Sequence, residues 1–246
     1  MKKIIFLSFA ILSFLFTSCD YDNYDAPSLL LHGKLTYNGD NFLYDGNPDR
    51  WLLRVYQTGF GKVDGGTNLR VDENGEYQQL LFADDNYKLT PDNRQYPFEF
   101  KDFKPRAVGY DSLTVKLRSN LEMNFEVTPY FTVNNFKTTL EGTDIVMRFS
   151  IAKVSGTDKP TPKAIRALCY VNTAALVNSK TTAVEAQAIS ITDQGNIEMR
   201  MPVSTYRSKY VNNYRTYAFC RVAVELENIP DFYLFSETQK IEGLPQ

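Results

Sequence analysis

Apolar and polar residues alternate through most of the chain beyond residue 27, the period expected of strands with one buried face. Ser28–Tyr37 predicts a first strand, ended by the Asn38-Gly39-Asp40 turn. Trp51–Gln57 predicts a second, with Trp51, Leu53 and Val55 on one side, and a loose loop spans Gly59–Gly66. Asn68–Val71 leads into Asp72-Glu-Asn74-Gly75-Glu-Tyr77, where the Asn-Gly pair supplies the positive φ of a tight turn. Short strands follow over Tyr77–Phe82 and Tyr87–Thr90. Asp111–Arg118 and Leu121–Thr128 read as a hairpin turned at Ser119-Asn120. Seven further strands are expected over Tyr130–Lys137, Asp144–Val154, Lys163–Asn172, Ile189–Thr192, Asn196–Met201, Arg215–Glu227 and Phe232–Ile241. The fold class predicted is all-β, in two tandem β-sandwich domains.

The first 25 residues break this pattern. Lys2 and Lys3 precede an apolar run from Ile4 to Phe16, which ends in Thr17-Ser18-Cys19. A basic start, a short apolar stretch and small residues at the cut make a secretory signal; a bilayer span needs about 20 apolar residues. The Cys directly after Thr17-Ser18 resembles a bacterial lipobox, whose sulfur takes a diacylglycerol before cleavage. Residues 1–18 are therefore expected to be a lipoprotein signal peptide, and Cys19 the lipidated first residue of the mature chain. Several acyl chains on one residue give stable attachment where one chain does not. Residues 19–27 carry Asp20, Asp22 and Asp25 and read as a solvated acidic tether. The stretch resembles the export signal of Bacteroidetes-type surface lipoproteins, which implies an outer-membrane protein facing the cell exterior.

Composition narrows the function classes. The formal net charge is −2, and the aromatic share of 14% is mostly Tyr and Phe. No basic block is present, so nucleic acid is not an expected partner. Apart from Cys19 the cysteines are Cys169 and Cys220, and both fall on apolar strand faces. They read as buried, unpaired thiols, because Cα atoms more than about 7 Å apart cannot be bridged. A nucleophilic Cys would need an activating base, and the one His, His32, lies in the other predicted domain.

Gly33, Asp72, Gly75, Tyr77, Phe82, Tyr87 and Leu89 resemble the signature of the carboxypeptidase-regulatory-like, transthyretin-like sandwich, with Asp85 where that signature has a second Gly. Tyr217–Val222 followed by Ser236–Ile241 resembles the last two strands of fibronectin type III domains, with Tyr214 or Tyr217 as a tyrosine corner. The expected domains are residues 28–128 (carboxypeptidase-regulatory-like) and 129–246 (Ig/fibronectin-III-like). Ser155–Pro162, which looks like a linker, is then an inter-strand loop. Tyr24–Pro27 and Phe125–Tyr130 carry a whole-chain resemblance to a family of two-domain Bacteroidetes lipoproteins of unknown function, whose genes commonly neighbour starch-utilisation-system-type glycan importers. The resemblance implies glycan capture or importer assembly, with polysaccharide, such an importer and outer-membrane lipid as partners. It implies no catalytic residues.

Chemistry-bearing constellations are few. Glycosidic cleavage needs two carboxylates about 5–10 Å apart, which small sandwiches seldom provide; catalytic residues and an enzymatic role are not expected. Asp72, Asn74, Asp84 and Asp85 are oxygen donors near turns, but Ala83 stands where an EF-hand loop has its bidentate Glu. Turn chemistry accounts for them, and neither metal nor cofactor is expected. Tyr206, Tyr210 and Tyr214 recur every four residues, interleaved with Arg207 and Lys209. On a helix they would share one face, and tyrosines can stack on sugar rings, so they are candidate glycan-binding residues; the alternative is packing over the sandwich end. Trp51 reads as core. The leading expectation is a non-catalytic surface module that binds polysaccharide or supports an importer. A fimbria-like structural subunit is the alternative.

Overall fold

The structure, a computed structural model, describes residues 26–57, 66–192, 195–208 and 214–245. The signal segment, Cys19 and the acidic tether lie outside the described residues, as do most of the 59–66 loop and Tyr210. The described residues are almost wholly β, in four sheets.

In the first half, β1 (Leu29–Tyr37) lies at the centre of its sheet. Antiparallel β5 (Glu76–Leu81) and then β2 (Asp40–Asn41) run along one edge. Parallel β9 (Leu121–Glu122) and β10 (Phe125–Pro129) run along the other, and β7 (Phe98–Phe100) pairs outside β10. The facing sheet is antiparallel, in the order β4 (Thr67–Leu69), β3 (Leu53–Tyr56), β6 (Asp84–Pro91), β8 (Leu113–Leu117). Leu31, Leu35, Leu53, Val55 and Leu89 fill the space between them.

The motif residues have direct physical roles. The Met123 carbonyl passes so close to Gly33 that a Cβ there would overlap its oxygen. The Tyr77 hydroxyl donates to that same carbonyl at 2.7 Å. Asp72 Oδ1 accepts the amides of Asn74 and Glu76 at 2.9 and 2.8 Å, folding the turn in which Gly75 takes a φ of 81°.

Two local expectations are corrected. Asp85 needs no glycine-like conformation: it sits in β6 with an ordinary negative φ and accepts Arg118 Nε at 2.8 Å. Ser119-Asn120 does not turn a hairpin either. β8 pairs with β6 and β9 with β1, so the chain crosses between sheets there. The Asn120 and Asn124 side chains accept the Leu30 and Lys34 amides at 2.9 and 3.0 Å, continuing the ladder where the backbone departs.

In the second half, β12 (Asp144–Lys153) lies between β11 (Phe131–Glu141) and β15 (Gly195–Pro202). Opposite, β16 (Tyr217–Leu226) pairs with β13 (Ala164–Asn172) on one edge and with β17 (Tyr233–Phe235) and β18 (Gln239–Glu242) on the other; β14 (Gln187–Ser190) lies outside β13. The sandwich therefore faces a three-stranded sheet with a five-stranded one, in which β17 and β18 share one edge of β16. A short helix, α1 (Val203–Ser208), follows β15. Cys169 and Cys220 are free and buried, opposite Val222 and Val171 on the same strand pair. Burial pushes the Cys169 thiol up to about 11 and raises Cys220 further.

No strand of one half pairs with a strand of the other among the described residues. The halves instead share one hydrophobic core, in which Tyr44 and Tyr96 of the first half pack against Phe232 of the second. Arg221 of β16 is buried in this junction at 1% exposure. It donates to the carbonyls of Ser236 (2.8 Å) and Val177 (3.1 Å) in its own half, and of Tyr44 (2.7 Å) and Glu73 (3.1 Å) across the junction. Its guanidinium lies 4.5 Å from the Phe235 ring centroid. Burial lowers its pKa to about 10, and the carboxylates of Asp45, Glu73 and Asp72 oppose that fall, so it stays charged at neutral pH. Beside it, buried Asp45 accepts the amide of Ser179 at 2.9 Å, its hydroxyl at 2.6 Å, and Arg50 Nη1 at 3.1 Å.

Two substitutions test these constraints in urea denaturation. Gly33→Ala should lose about 3 kcal/mol through the forced overlap, whereas Gly142→Ala, at a φ of 62° with open space around it, should lose only about 1 kcal/mol; equal losses would refute the close-approach account. Arg221→Met should cost about 3 kcal/mol or more, because each orphaned buried carbonyl costs about 1–3 kcal/mol. A loss below about 1 kcal/mol would show that Arg221 does not hold the junction.

Candidate functional site

The junction opens on one flank into a cleft of about 610 Å³, within the range of about 300–1,000 Å³ usual for small-molecule sites. Residues 93–96, Phe98 and residues 106–110 form one wall, and Tyr130, residues 159–162 and residues 227–229 the other. The first wall is built on an aromatic run. Tyr96 stacks on Phe98 at 5.4 Å, and Phe100 meets Phe98, Phe103 and Tyr110 edge-on at 5.2–5.6 Å. Tyr110 is half-buried at the cleft surface, and burial raises its pKa, so its hydroxyl stays protonated and can donate.

The loop carrying Arg106 and Val108 is pinned at its base. The Arg106 amide donates to the Gly109 carbonyl at 3.0 Å, the Asp111 amide to Lys104 at 2.9 Å, and the Lys104 amide to Asp111 Oδ1 at 2.8 Å. Gly109 has a φ of 71° and packs against Asn93 where a Cβ would not fit.

Glu99 of β7 ties the two walls. It is buried and accepts the amides of Asp158 and Lys159 at 2.7 and 2.8 Å and the Tyr130 hydroxyl at 3.3 Å. These bonds set the 155–162 loop, which is an inter-strand loop between β12 and β13 as expected, and bring Lys159 Nζ to 5.6 Å from the Tyr110 ring centroid. Arg94 lies on the cleft wall with Nε 2.7 Å from Asp92, its guanidinium over the rings of Trp51 (4.8 Å) and Phe232 (5.4 Å). The cleft thus offers Tyr110 with its hydroxyl and the cations Arg94, Arg106 and Lys159.

Two of the tyrosines singled out by spacing, Tyr206 and Tyr214, are described, and neither lines this cleft. Tyr206 is wholly buried in α1, and its hydroxyl donates to the Tyr217 carbonyl at 3.1 Å, so it packs the sandwich end and is removed from the candidate site. Tyr210 lies outside the described residues, and Tyr214, beyond the described helix Val203–Ser208, is 74% exposed. Trp51 is half-buried, before β3 rather than within it, and held between Arg54 (5.2 Å) and Arg94. His32 lines a separate hollow of about 570 Å³ on the β1–β5 face, with Lys34, Arg70, Asp72 and Glu122. The turn acids are engaged locally: Asp72 as above, and Asp84 Oδ1 with the Asn86 amide at 2.8 Å. Among the described residues no three His, Cys, Asp or Glu side chains cluster as a metal site, and no helix is long and apolar enough to cross a membrane. The Tyr96–Tyr110 aromatic run was visible in the sequence, but not its convergence with the 155–162 loop, which joins strands of the other half.

The geometry can be set beside known proteins through the segment that builds the first wall. Residues 29–128 match the model of the "Protein of unknown function (DUF3823) N-terminal domain". The likeness extends over both halves. A DUF3823 family protein from Parabacteroides merdae is similar with a TM-score of 0.70 and 25% identity, over 89% of this chain and 100% of that one. A DUF3823 family protein from Bacteroides ovatus follows, with a TM-score of 0.63, 23% identity, and 89% and 100% coverage. A protein from Bacteroides uniformis named "putative carbohydrate binding protein" has a TM-score of 0.67 at 14% identity, over 88% of this chain and 100% of that one. The last two likenesses are of fold alone. No curated protein matches the chain.

Glu99→Gln tests the link between the walls. Its amide group presents an NH₂ where one of the two loop amides needs an acceptor, at a cost of about 1–3 kcal/mol. The amides of Asp158 and Lys159 should then exchange with deuterium at least tenfold faster. Unchanged protection would show that Glu99 does not position the loop.

Proposed function

We propose that this chain is a non-catalytic lipoprotein of the outer membrane, held by lipid on Cys19 and facing the cell exterior, that binds polysaccharide in the cleft between its halves as an accessory of a starch-utilisation-system-type importer. The observation that carries the binding reading is the cleft itself: a half-buried Tyr110 beside fixed cations, on walls locked by Glu99. Sugars are recognised by such combinations of an aromatic face with a few placed polar groups. The name carried by the Bacteroides uniformis protein, similar over both halves, supports the same reading. The lipobox-like Thr17-Ser18-Cys19 and the acidic tether support the location. The fimbria-like alternative draws no support from β1, which is paired along both edges, so exchanging it for another strand would dismantle its sheet.

Affinity electrophoresis against a panel of neutral and acidic polysaccharides tests the binding. At least one member should retard the protein, and Tyr110→Ala should weaken that retardation about tenfold, equivalent to about 1.4 kcal/mol, without abolishing the cooperative melt. Retardation by no member of the panel would refute the proposal.

A further inference from the structure

We infer that the cleft takes an anionic polysaccharide, one bearing carboxylate or sulfate groups, and that Arg106 and Lys159 are its specificity-determining residues. The inference rests on the glycan-binding reading above.

The chain as a whole is formally acidic at −2, yet the cleft is lined by Arg94, Arg106 and Lys159 against one carboxylate, Glu227. Exposed Lys101 and Lys104 extend this positive character along the loop that leads into it. The acids nearest that loop are engaged with the main chain. Asp102 Oδ2 accepts the Glu126 amide at 2.8 Å, Asp111 Oδ1 accepts the Lys104 amide at 2.8 Å, and Glu99 is buried on two amides. Arg118, Arg148, Arg166 and Arg200 elsewhere on the surface each hold a carboxylate. Among the described residues, Arg106 and Lys159 have no carboxylate within salt-bridge reach.

Placement adds to charge. The Arg106 loop is closed by main-chain bonds and the Lys159 backbone is held by Glu99, so both cations are fixed at their roots. Lys159 reaches over Tyr110. A sugar unit against the tyrosine would therefore bring an acidic substituent towards the ammonium, with the guanidinium on the opposing wall. A planar guanidinium matches carboxylate and sulfate oxygens in pairs, and charge-assisted hydrogen bonds of this kind are the strong ones.

The test uses the mature chain and matched probes: polygalacturonate against its methyl-esterified form, and dextran sulfate against dextran. The acidic member of at least one pair should retard the protein at least tenfold more strongly than its neutral partner, and 0.5 M NaCl should abolish the difference. The two pairs distinguish carboxylate from sulfate. The double variant Arg106→Gln/Lys159→Gln should lose at least tenfold in affinity with an unchanged melting temperature. Lys116→Gln/Lys137→Gln, which removes two exposed cations that do not line the cleft, should change affinity less than twofold. Equal retardation by neutral and acidic members, or equal loss in both double variants, overturns the inference and leaves glycan binding standing. Retardation by no probe and no member of the wider panel overturns both.

Discussion

Much of this structure depends on one buried cation. Arg221 sits where two sandwiches meet without exchanging a strand, and it satisfies two carbonyls from each side. An unpaired guanidinium in such a place would be strongly unfavourable. Four carbonyl acceptors, the Phe235 ring and nearby Asp45 make it tolerable, and the same contacts fix where Tyr44 and Glu73 lie relative to β16. The direction of dependence matters. The apolar surface of Tyr44, Tyr96 and Phe232 supplies attraction between the halves, but it is non-directional; the hydrogen bonds of Arg221 and Asp45 select one orientation.

That orientation gives the cleft its shape. A groove between domains joined only by a linker would open and close freely. Here the floor is continuous with the shared core, and Glu99 closes a second bridge on the cleft side. The site exists before any ligand arrives, which lowers the ordering cost of binding.

How much of this was legible in the sequence depended on whether the physics was local. Strand periodicity located most strands of the second half to within about four residues, but the single strand expected over Phe232–Ile241 is two, β17 and β18, and β13 and β16 are buried on both faces. Gly33, Asp72, Gly75 and Tyr77 could be picked out because turns and close approaches demand particular residue types. The failures share a cause. Ser119-Asn120 has the composition of a hairpin turn, and only the long-range bond from the Leu30 amide shows Asn120 continuing a different ladder. β7, Phe98-Glu99-Phe100, is too short to show a period, and all three of its residues are buried. Asp85 was compared with a glycine whose conformation this strand never adopts.

The site itself was the least legible part, and the tyrosines show why. Spacing favoured Tyr206, Tyr210 and Tyr214 for a shared helical face, but Tyr206 is turned inward with its hydroxyl on the Tyr217 carbonyl, while Tyr214 is exposed. Tyr110 has no such periodicity. It is available because Phe100 supports it from below and because a loop from about 50 residues later, held by Glu99, stops short of covering it. Whether an aromatic stays open is decided by what fails to bury it, and that is a property of converging loops. Glu99 carries the same lesson in reverse: a lone acid between two phenylalanines looks like a surface residue of an alternating strand, and it is buried because two amides of the other half require an acceptor there.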